Sequence, residues 1–233
     1  MARPFIIQFW HGIPPAEVET LMDTWRLAAN EGFEYARFDD RAASRFIEEH
    51  FDRRVHSAYL ACAIPAMKAD FFRICALLIH PGIYVDADMR RTGIGRRSIF
   101  LREQSKPLPT LYDQLARGLL FRRDLRIANG FIIVKRQQDP LLIALLLIVV
   151  QNIEKRQSNN VYAVTGPGVT TNLFNRVGAA HEYFADFELW TADRLSPFMR
   201  MVGKLPYKQT SDHWVIAQKM RSIYVETRDD DHG

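Results

Sequence analysis

Apolar residues recur along the sequence in two patterns, short runs typical of buried strands and longer runs with helical spacing. The short runs predict strands at residues 5–7, 34–38, 83–85 and 131–134. Helical spacing predicts helices at residues 16–30, 65–80, 112–126 and 141–153, and a mixed helical region at residues 41–63. The strand–helix–strand order near the start of the chain predicts a parallel strand pair, so the fold class is α/β.

The helix at residues 65–80 is apolar nearly all round, which predicts that it is buried. Pro65 suits a first helical turn, where its missing N–H costs nothing. Asp70 and Arg73 interrupt the apolar surface, and because they are three residues apart they share one face of the helix. The residues alone leave two interpretations open, a buried ion pair or side chains that contact a ligand.

The next predicted strand follows a turn at Pro81-Gly82 and ends in Asp86 and Asp88. Residues two apart in an extended strand point the same way, so both carboxylates lie on one side. Open α/β sheets bind ligands at the carboxyl ends of their strands, and adjacent carboxylates need a compensating cation. A hard divalent ion that bridges to a substrate phosphate suits this spacing, although a solvated loop with two ordinary acids also fits it.

Trp10 lies at the carboxyl end of the first predicted strand, next to His11-Gly12. An aromatic residue in this place is most often part of the core. The alternative is a flat wall on which a nucleotide base stacks. Further along the chain, Asn129-Gly130 predicts a turn before the strand at residues 131–134.

Composition and charge set the class of the protein. The 233 residues are 48% hydrophobic, which predicts a single domain over residues 1–225, and residues 226–233 are expected to be a frayed tail. The net charge of +4 fits an anionic ligand, but no nucleic-acid motif accompanies the arginines of residues 90–102, so nucleic acid is not an expected partner. The basic run at residues 90–97 is interpreted as a solvated loop. The alternative is that this run borders the side of the protein that faces an acceptor molecule or a membrane.

The most apolar run, residues 141–150, is shorter than the roughly 20 residues that a membrane-spanning helix needs. A buried helix is therefore the better interpretation. The expected location is the cytoplasm, with peripheral association at the inner face of the membrane as a further expectation.

The stretch from the buried helix to the two aspartates resembles the D-x-D glycosyltransferases of the family 32 type. These include fungal α-1,6-mannosyltransferases and the capsular polysaccharide and lipooligosaccharide sugar transferases of bacteria, and they are related to the glucosylating bacterial toxins. Their central block is similar to A-x-x-x-D-x-x-R on a helix followed by G-G-x-Y-x-D-x-D on a strand. The matching residues here are Ala66, Asp70, Arg73, Gly82, Tyr84, Asp86 and Asp88, and Pro81 replaces the first glycine.

The resemblance implies a GT-A type α/β fold with a single mixed, mostly parallel sheet flanked by helices. It implies a retaining hexosyltransferase that uses Mn²⁺ or Mg²⁺, a nucleoside-diphosphate sugar donor, and a carbohydrate or glycolipid acceptor. Asp86 and Asp88 would hold the metal, and Asp70 and Arg73 would hold the donor sugar. Tyr84 would line the donor site. The implied catalytic residues are Asp70, Arg73, Asp86 and Asp88. Of these, Asp70 and Arg73 are also implied donor-binding residues, together with Tyr84.

Both ends of the chain extend the resemblance. The opening residues, which include Gln8 and Trp10, are similar to a family opening whose tryptophan stacks on the nucleotide base, so both are implied donor-binding residues. Near the other end, Asp212-His213-Trp214 is similar to the front half of an H-H-W-x-x-S-W segment that folds over the donor phosphates. Asp212 and His213 are implied additional metal contacts. Ala217 and Gln218 replace the serine and the tryptophan.

Two other functions share some of these features. A phosphatase or phosphotransferase of the haloacid-dehalogenase type also places D-x-D at a strand end, but it needs a threonine where this chain has Arg90. A nucleotide-sugar-binding protein without turnover is the second alternative, because the back half of the C-terminal segment is altered.

Overall fold

Two sheets form the β-structure in the computed structural model, which describes residues 3–93, 110–113, 127–177, 188–211 and 213–226. The strands are β1 Phe5–Phe9, β2 Glu34–Phe38, β3 Gly82–Val85, β4 Met89–Arg91, β5 Thr110–Asp113, β6 Ile127–Val134, β7 Glu188–Thr191 and β8 Met199–Met201. Six of them form the main sheet in the order β2-β1-β3-β6-β5-β7, and β4 pairs with β8 in a small second sheet.

The main sheet is mixed and mostly parallel. Strand β1 pairs in parallel with both β2 and β3, and β5 pairs in parallel with β7. Strand β6 runs antiparallel to both of its neighbours, β3 and β5. The parallel pairing predicted for the first two strands is therefore confirmed, and so is the mixed sheet.

Helices cover the sheet, and the helices predicted at residues 16–30, 65–80 and 141–153 are present within a few residues of those bounds. Their bounds are α1 Ala16–Arg26, α2 Asp40–His50, α3 Arg53–Leu60, α4 Pro65–Ile79, α5 Pro140–Lys155, α6 Val161–Val164, α7 Pro167–Val177, α8 Ala192–Leu195 and α9 Trp214–Met220. Short 3-10 helices lie at Leu27–Glu31 and Pro206–Gln209. None of the helices in the described residues is both long enough and apolar enough to cross a membrane.

The core lies on both faces of the sheet because successive strand residues point to opposite sides. Ile7 and Tyr84 pack in the cluster that contains α2, α3, α4 and α5. Ile6 and Ile83 pack on the other face, together with Trp25 of α1. Burial on both faces explains why the predicted strands at residues 5–7, 83–85 and 131–134 are continuous apolar runs rather than alternating ones.

Gly82 is required by the close approach of β3 to β1. A Cβ atom at this position would lie 2.1 Å from the carbonyl oxygen of Phe5, a distance that no side chain tolerates. Pro81 leaves this pairing intact, since its carbonyl accepts a hydrogen bond of 3.2 Å from the N–H of Phe5. The substitution of the usual first glycine by Pro81 therefore does not disturb the strand that leads to the two aspartates.

Three sequence-based predictions of local structure were wrong where the structure describes them. Asn129-Gly130 does not form a turn but lies within β6. Tyr112, predicted at the start of a helix, lies in β5, and residues 114–126 are outside the described part of the chain. Arg90 and Arg91, expected in a solvated loop, form β4 with Met89 because β8 provides a partner strand.

Candidate functional site

A cleft with a volume of about 540 Å³ opens where β1 and β3 end. Most of the residues predicted for the site line it: Trp10, Asp70, Arg73, Tyr84, Asp86, Asp88 and His213. Residues from later in the chain complete the wall, including Asn129, Gly130, Tyr207 and Lys208. The structure therefore brings the N-terminal strands, α4 and the C-terminal segment together at one edge of the sheet, which is where such sheets place ligands.

Arg73 joins two carboxylates at the floor of the cleft. Its Nη2 atom lies 2.8 Å from Asp70 Oδ1 and 3.2 Å from Asp86 Oδ1. Its Nη1 atom donates to the carbonyl oxygen of Asn129, and its guanidinium lies 4.5 Å from the centre of the Tyr84 ring. A planar, permanently charged group with five donors suits such a shared position.

Asp70 and Arg73 are buried although they line the cleft, with 7% and 3% of their surfaces exposed. Asp70 also accepts hydrogen bonds from Asn129 Nδ2, at 2.9 Å, and from Thr165 Oγ1, at 3.4 Å. Burial raises the pKa of Asp70, while the charge of Arg73 and the two hydrogen bonds lower it. Of the two interpretations that the residues left open, the buried ion pair describes the geometry, and the pair still borders the space where a ligand would bind.

The two aspartates of the D-x-D sequence lie in a tight turn between β3 and β4. The N–H of Met89 donates to the carbonyl of Asp86 at 3.1 Å, and the N–H of Asp86 donates to the carbonyl of Gly130 at 2.8 Å. Trp25 Nε1 donates to the carbonyl of Met89 at 2.8 Å, which ties α1 to the turn. Backbone contacts therefore fix the turn that carries both aspartates, and ion pairs with Arg73 and Lys208 hold their side chains.

Asp86 has a raised pKa, of about 6, because it is partly shielded from solvent and lies near other acids. Burial is the largest cause, Arg73 opposes it, and Asp88 and Asp70 raise the pKa further. The side chain keeps 33% of its surface exposed toward the cleft. Gly130 makes room for it, since a Cβ there would lie 2.5 Å from Asp86 Oδ2.

Asp88 is paired with a lysine that the sequence analysis did not select. Lys208 Nζ lies 2.6 Å from Asp88 Oδ2, and it also donates to the carbonyl of Val202 at 3.2 Å. Lys208 comes from the 3-10 helix Pro206–Gln209, which follows β8. No pattern in the sequence distinguishes Lys208 from the other lysines, because its partner comes from a distant part of the chain.

Trp10 is half-buried in the cleft wall and packs edge-on against Tyr207, with ring centroids 5.1 Å apart. Gln8, two residues earlier, does not line the cleft. Its side chain is fully buried, and its Oε1 accepts a hydrogen bond of 3.0 Å from the hydroxyl of Tyr35. Gln8 lies within β1, on the same face of the sheet as Ile6, whereas Trp10 follows the end of the strand, where the cleft opens.

His213 lines the cleft, and its pKa is lowered by burial and by Lys208, whereas Asp88 raises it. Asp212, the other implied metal contact, lies outside the described residues. Among the residues that are described, no group of three or more His, Cys, Asp or Glu side chains is arranged to hold a metal ion. Asp86 and Asp88 alone fit a cation such as Mg²⁺, which takes one or two carboxylates and completes its shell with water and substrate phosphate.

Asn129, Gly130 and Thr165 contact or adjoin the acidic residues of the site, although they are not among the predicted site residues. Asn129-Gly130 was predicted as a turn. The available signal was the position of Gly130, since an isolated glycine in an apolar strand often marks a close approach. Gly166 has a similar role, because a Cβ there would lie 3.3 Å from Asp70 Oδ2.

Comparison with known proteins finds a family match for the part of the chain that supplies Asp70, Arg73 and the two aspartates of the D-x-D sequence. Residues 15–93, about a third of the 233-residue chain, match the family described as glycosyltransferase sugar-binding region containing DXD motif. The matched region contains Asp70, Arg73, Asp86 and Asp88. An uncharacterized glycosyltransferase of Acanthamoeba polyphaga mimivirus is 38% identical over 63 residues, which is 27% of this chain and 25% of the relative. This match thus spans only a quarter of the curated relative's length.

Solved structures are similar over most of the chain. One is a glycosyltransferase involved in the glycosylation of the major capsid of PBCV-1, with 9% identity and a TM-score of 0.50 over 87% of this chain and 95% of that one. Another is the PaToxG glycosyltransferase, with 13% identity and a TM-score of 0.49 over 96% of this chain and 89% of that one. The first of these similarities, together with the mixed sheet flanked by helices, confirms the GT-A type fold.

Proposed function

We propose that this protein is a metal-dependent retaining glycosyltransferase that transfers a sugar from a nucleoside-diphosphate sugar to a glycan, lipid or other acceptor. The observation that carries the proposal is the meeting of Asp70, Arg73, Asp86 and Asp88 in one cleft at the sheet edge. The match of residues 15–93 to a DXD-containing sugar-binding region supports it, as does the GT-A type fold.

The donor would lie along the cleft with its three parts against different residues. We assign the nucleotide base to Trp10, whose ring borders the cleft and can stack on a flat base. We assign the diphosphate to the turn that carries Asp86 and Asp88. The sugar would lie near Asp70 and Arg73, at the buried end of the cleft.

Asp86 and Asp88 are the proposed metal ligands, and His213 and Asp212 are proposed additional contacts. When bound, Mn²⁺ or Mg²⁺ would offset the negative charge that develops on the departing diphosphate. In the part of the chain that the structure describes, the three carboxylates of Asp70, Asp86 and Asp88 form ion pairs with two cations, Arg73 and Lys208. This excess of negative charge favours an additional cation at the turn.

In the transfer step, the bond between the anomeric carbon and the phosphate oxygen breaks and its electron pair stays on the diphosphate. A bond forms between the anomeric carbon and the acceptor hydroxyl oxygen on the same face. The departing phosphate oxygen takes the proton of that hydroxyl, so the reaction needs no separate protein base. Asp70 would stabilise the sugar most strongly as it gains positive charge, which is where binding energy accelerates a reaction.

The acceptor, the family 32 type and the location belong to this proposal as well. We propose a carbohydrate or glycolipid acceptor and a place in the cytoplasm at the inner face of the membrane, both on the strength of the resemblance. Neither alternative function is favoured. Arg90 is exposed on β4 at the place where a haloacid-dehalogenase-type enzyme needs a threonine.

The experiment is hydrolysis of a panel of nucleotide sugars, measured as release of free sugar, with Mn²⁺ or Mg²⁺ and with excess chelator. We expect turnover of at least one donor with metal and none with chelator. Asp88→Asn should lose turnover, whereas Asp193→Asn, an exposed residue of α8, should not. Undiminished turnover in chelator would reject metal dependence, and nucleotide binding without turnover by any donor would favour the non-catalytic alternative.

A further inference from the structure

Lys208 occupies a defined position in the cleft rather than a mobile surface position. Its Nζ atom is held between Asp88 Oδ2, at 2.6 Å, and the carbonyl oxygen of Val202, at 3.2 Å. Only 20% of its side chain is exposed. A lysine ammonium in contact with a carboxylate of the D-x-D turn lies where a metal ion and a diphosphate would be bound under the proposed function.

The backbone around Lys208 is anchored on both sides. Leu205 is buried, and Tyr207 packs edge-on against Trp10. The N–H of Val202 donates to the carbonyl of Asp88 at 3.0 Å, which joins the segment after β8 to the same turn. The four-carbon stem of a lysine is flexible, so the ammonium can change partners while the backbone stays in place.

A metal ion and the Lys208 ammonium compete for the same carboxylate. Asp88 Oδ2 is already in contact with the Lys208 ammonium. A metal cation bound to the same carboxylate would lie close to that ammonium, and the two positive charges would repel each other. A divalent ion that binds Asp88 therefore weakens the contact between the Lys208 ammonium and the carboxylate. The nearest new partner for a displaced ammonium is the anion that arrives with the metal, the donor diphosphate.

We propose that Lys208 is the resident cation of the diphosphate site. In the ligand-free protein it neutralises Asp88, and on donor binding it transfers its contact to a diphosphate oxygen. This assignment rests on the proposed function, because it presupposes a diphosphate ligand. It makes Lys208 a donor-binding residue and predicts that its removal has opposite effects on two ligands.

The test is isothermal titration calorimetry of Lys208→Met with two probes, Mn²⁺ alone and metal-free UDP or GDP. Without its competitor at Asp88, Mn²⁺ should bind about two- to fivefold more tightly, the range of a partly exposed ion pair. Metal-free nucleoside diphosphate should bind about tenfold more weakly, because a charge-assisted contact to phosphate is lost. Lys208→Arg, which keeps the charge, should retain most of the nucleotide affinity.

Lys204→Met is the matched control, since it makes the same charge change at an exposed residue of the same segment and should alter neither affinity. Thermal melts establish that the variants are folded, and Lys208→Gln serves in place of Lys208→Met if the latter is not. Unchanged affinity for either probe in a folded variant, with normal binding by the wild type, would overturn the role of Lys208 alone. Failure of the wild type to bind UDP or GDP even with Mn²⁺ would overturn the proposed function and this assignment with it.

Discussion

Replacing Arg73 with methionine would remove the single charge that compensates two acids at the floor of the cleft. Arg73 contacts Asp70 at 2.8 Å and Asp86 at 3.2 Å, and 3% of its surface is exposed. Methionine keeps much of the length and the apolar stem, so the perturbation is mainly the lost charge and its hydrogen bonds. Asp70 and Asp86 would then face each other without a cation between them.

The expected cost follows from the burial of this pair. Removing one partner of a buried ion pair typically destabilises a protein by about 3–5 kcal/mol, because the other charge is left unpaired. For a chain of this size, about 2–4 °C of melting temperature corresponds to 1 kcal/mol, so the loss should be roughly 6–20 °C. Both carboxylates have raised pKa values already, and losing Arg73 would raise them further.

That pKa direction gives the prediction a pH dependence. A carboxyl group whose pKa is raised by folding stabilises the folded state at low pH, and this stabilisation is lost as the pH rises through the folded-state pKa. Because the pKa of Asp86 is about 6 in the wild type and higher in the variant, the difference between the two proteins should be smaller at pH 5 than at pH 8. Urea unfolding at both pH values, followed by circular dichroism, measures this difference.

The control is Arg54→Met, the same substitution in an exposed ion pair with Glu154 at 2.7 Å. Its cost should be a small fraction of the cost at Arg73, since solvent screens exposed pairs. An Arg73→Met variant that is no less stable than the Arg54→Met variant, or whose loss of stability is the same at pH 5 and pH 8, would refute the reasoning about the buried charges.

The remaining predictions concern the walls of the cleft. Gly130→Ala places a Cβ atom 2.5 Å from Asp86 Oδ2, so the Asp86 side chain must move. Mn²⁺ affinity measured by calorimetry should therefore fall about tenfold, and overpacking should lower the free energy of unfolding by about 1–3 kcal/mol. Gly203→Ala, with nothing within 4 Å of its Cβ, should change neither, and an equal effect at both glycines would contradict the steric argument. Trp10→Ala should weaken nucleoside diphosphate binding by about 1–3 kcal/mol, with a smaller loss for Trp10→Phe. Normal nucleotide binding by a folded Trp10→Ala variant would instead make Trp10 a core residue.

The predicted fold agrees with the structure where periodicity and local turn chemistry act together. The helix at residues 65–80 and the strand at 34–38 were predicted to within a residue of α4 and β2. Asn129-Gly130 was misread because a turn signal and a close-approach signal use the same residues. Asp86, which lies in the turn after β3, decides which of the two applies, and no rule based on neighbouring residues in the sequence includes that contact.

The candidate site also has features that could be predicted from the sequence and features that could not. Asp86 and Asp88 were predicted in an extended segment at the end of a buried strand. Both line the cleft at that end, but they lie in a tight turn after β3 rather than in extended backbone. Whether Asp70 and Arg73 were buried or open to water could not be predicted, because their exposure depends on Asn129 and Thr165 from later elements. The spacing of residues along a helix predicts which side chains are neighbours on one face, but not which residues from other elements pack over them.

Lys208 shows why the charge of the cleft cannot be derived from the D-x-D sequence alone. With Arg73 between Asp70 and Asp86, and Lys208 on Asp88, the described ion-paired groups carry one more negative than positive charge. A diphosphate that enters this cleft adds further negative charge, so any contact it makes with Lys208 leaves Asp88 without its cation. The repulsion is removed only if a second cation enters together with the nucleotide. The expected order of affinities, weak for nucleotide alone and strong for nucleotide with a divalent ion, thus follows from the number of charges and from the one lysine that two anions must share.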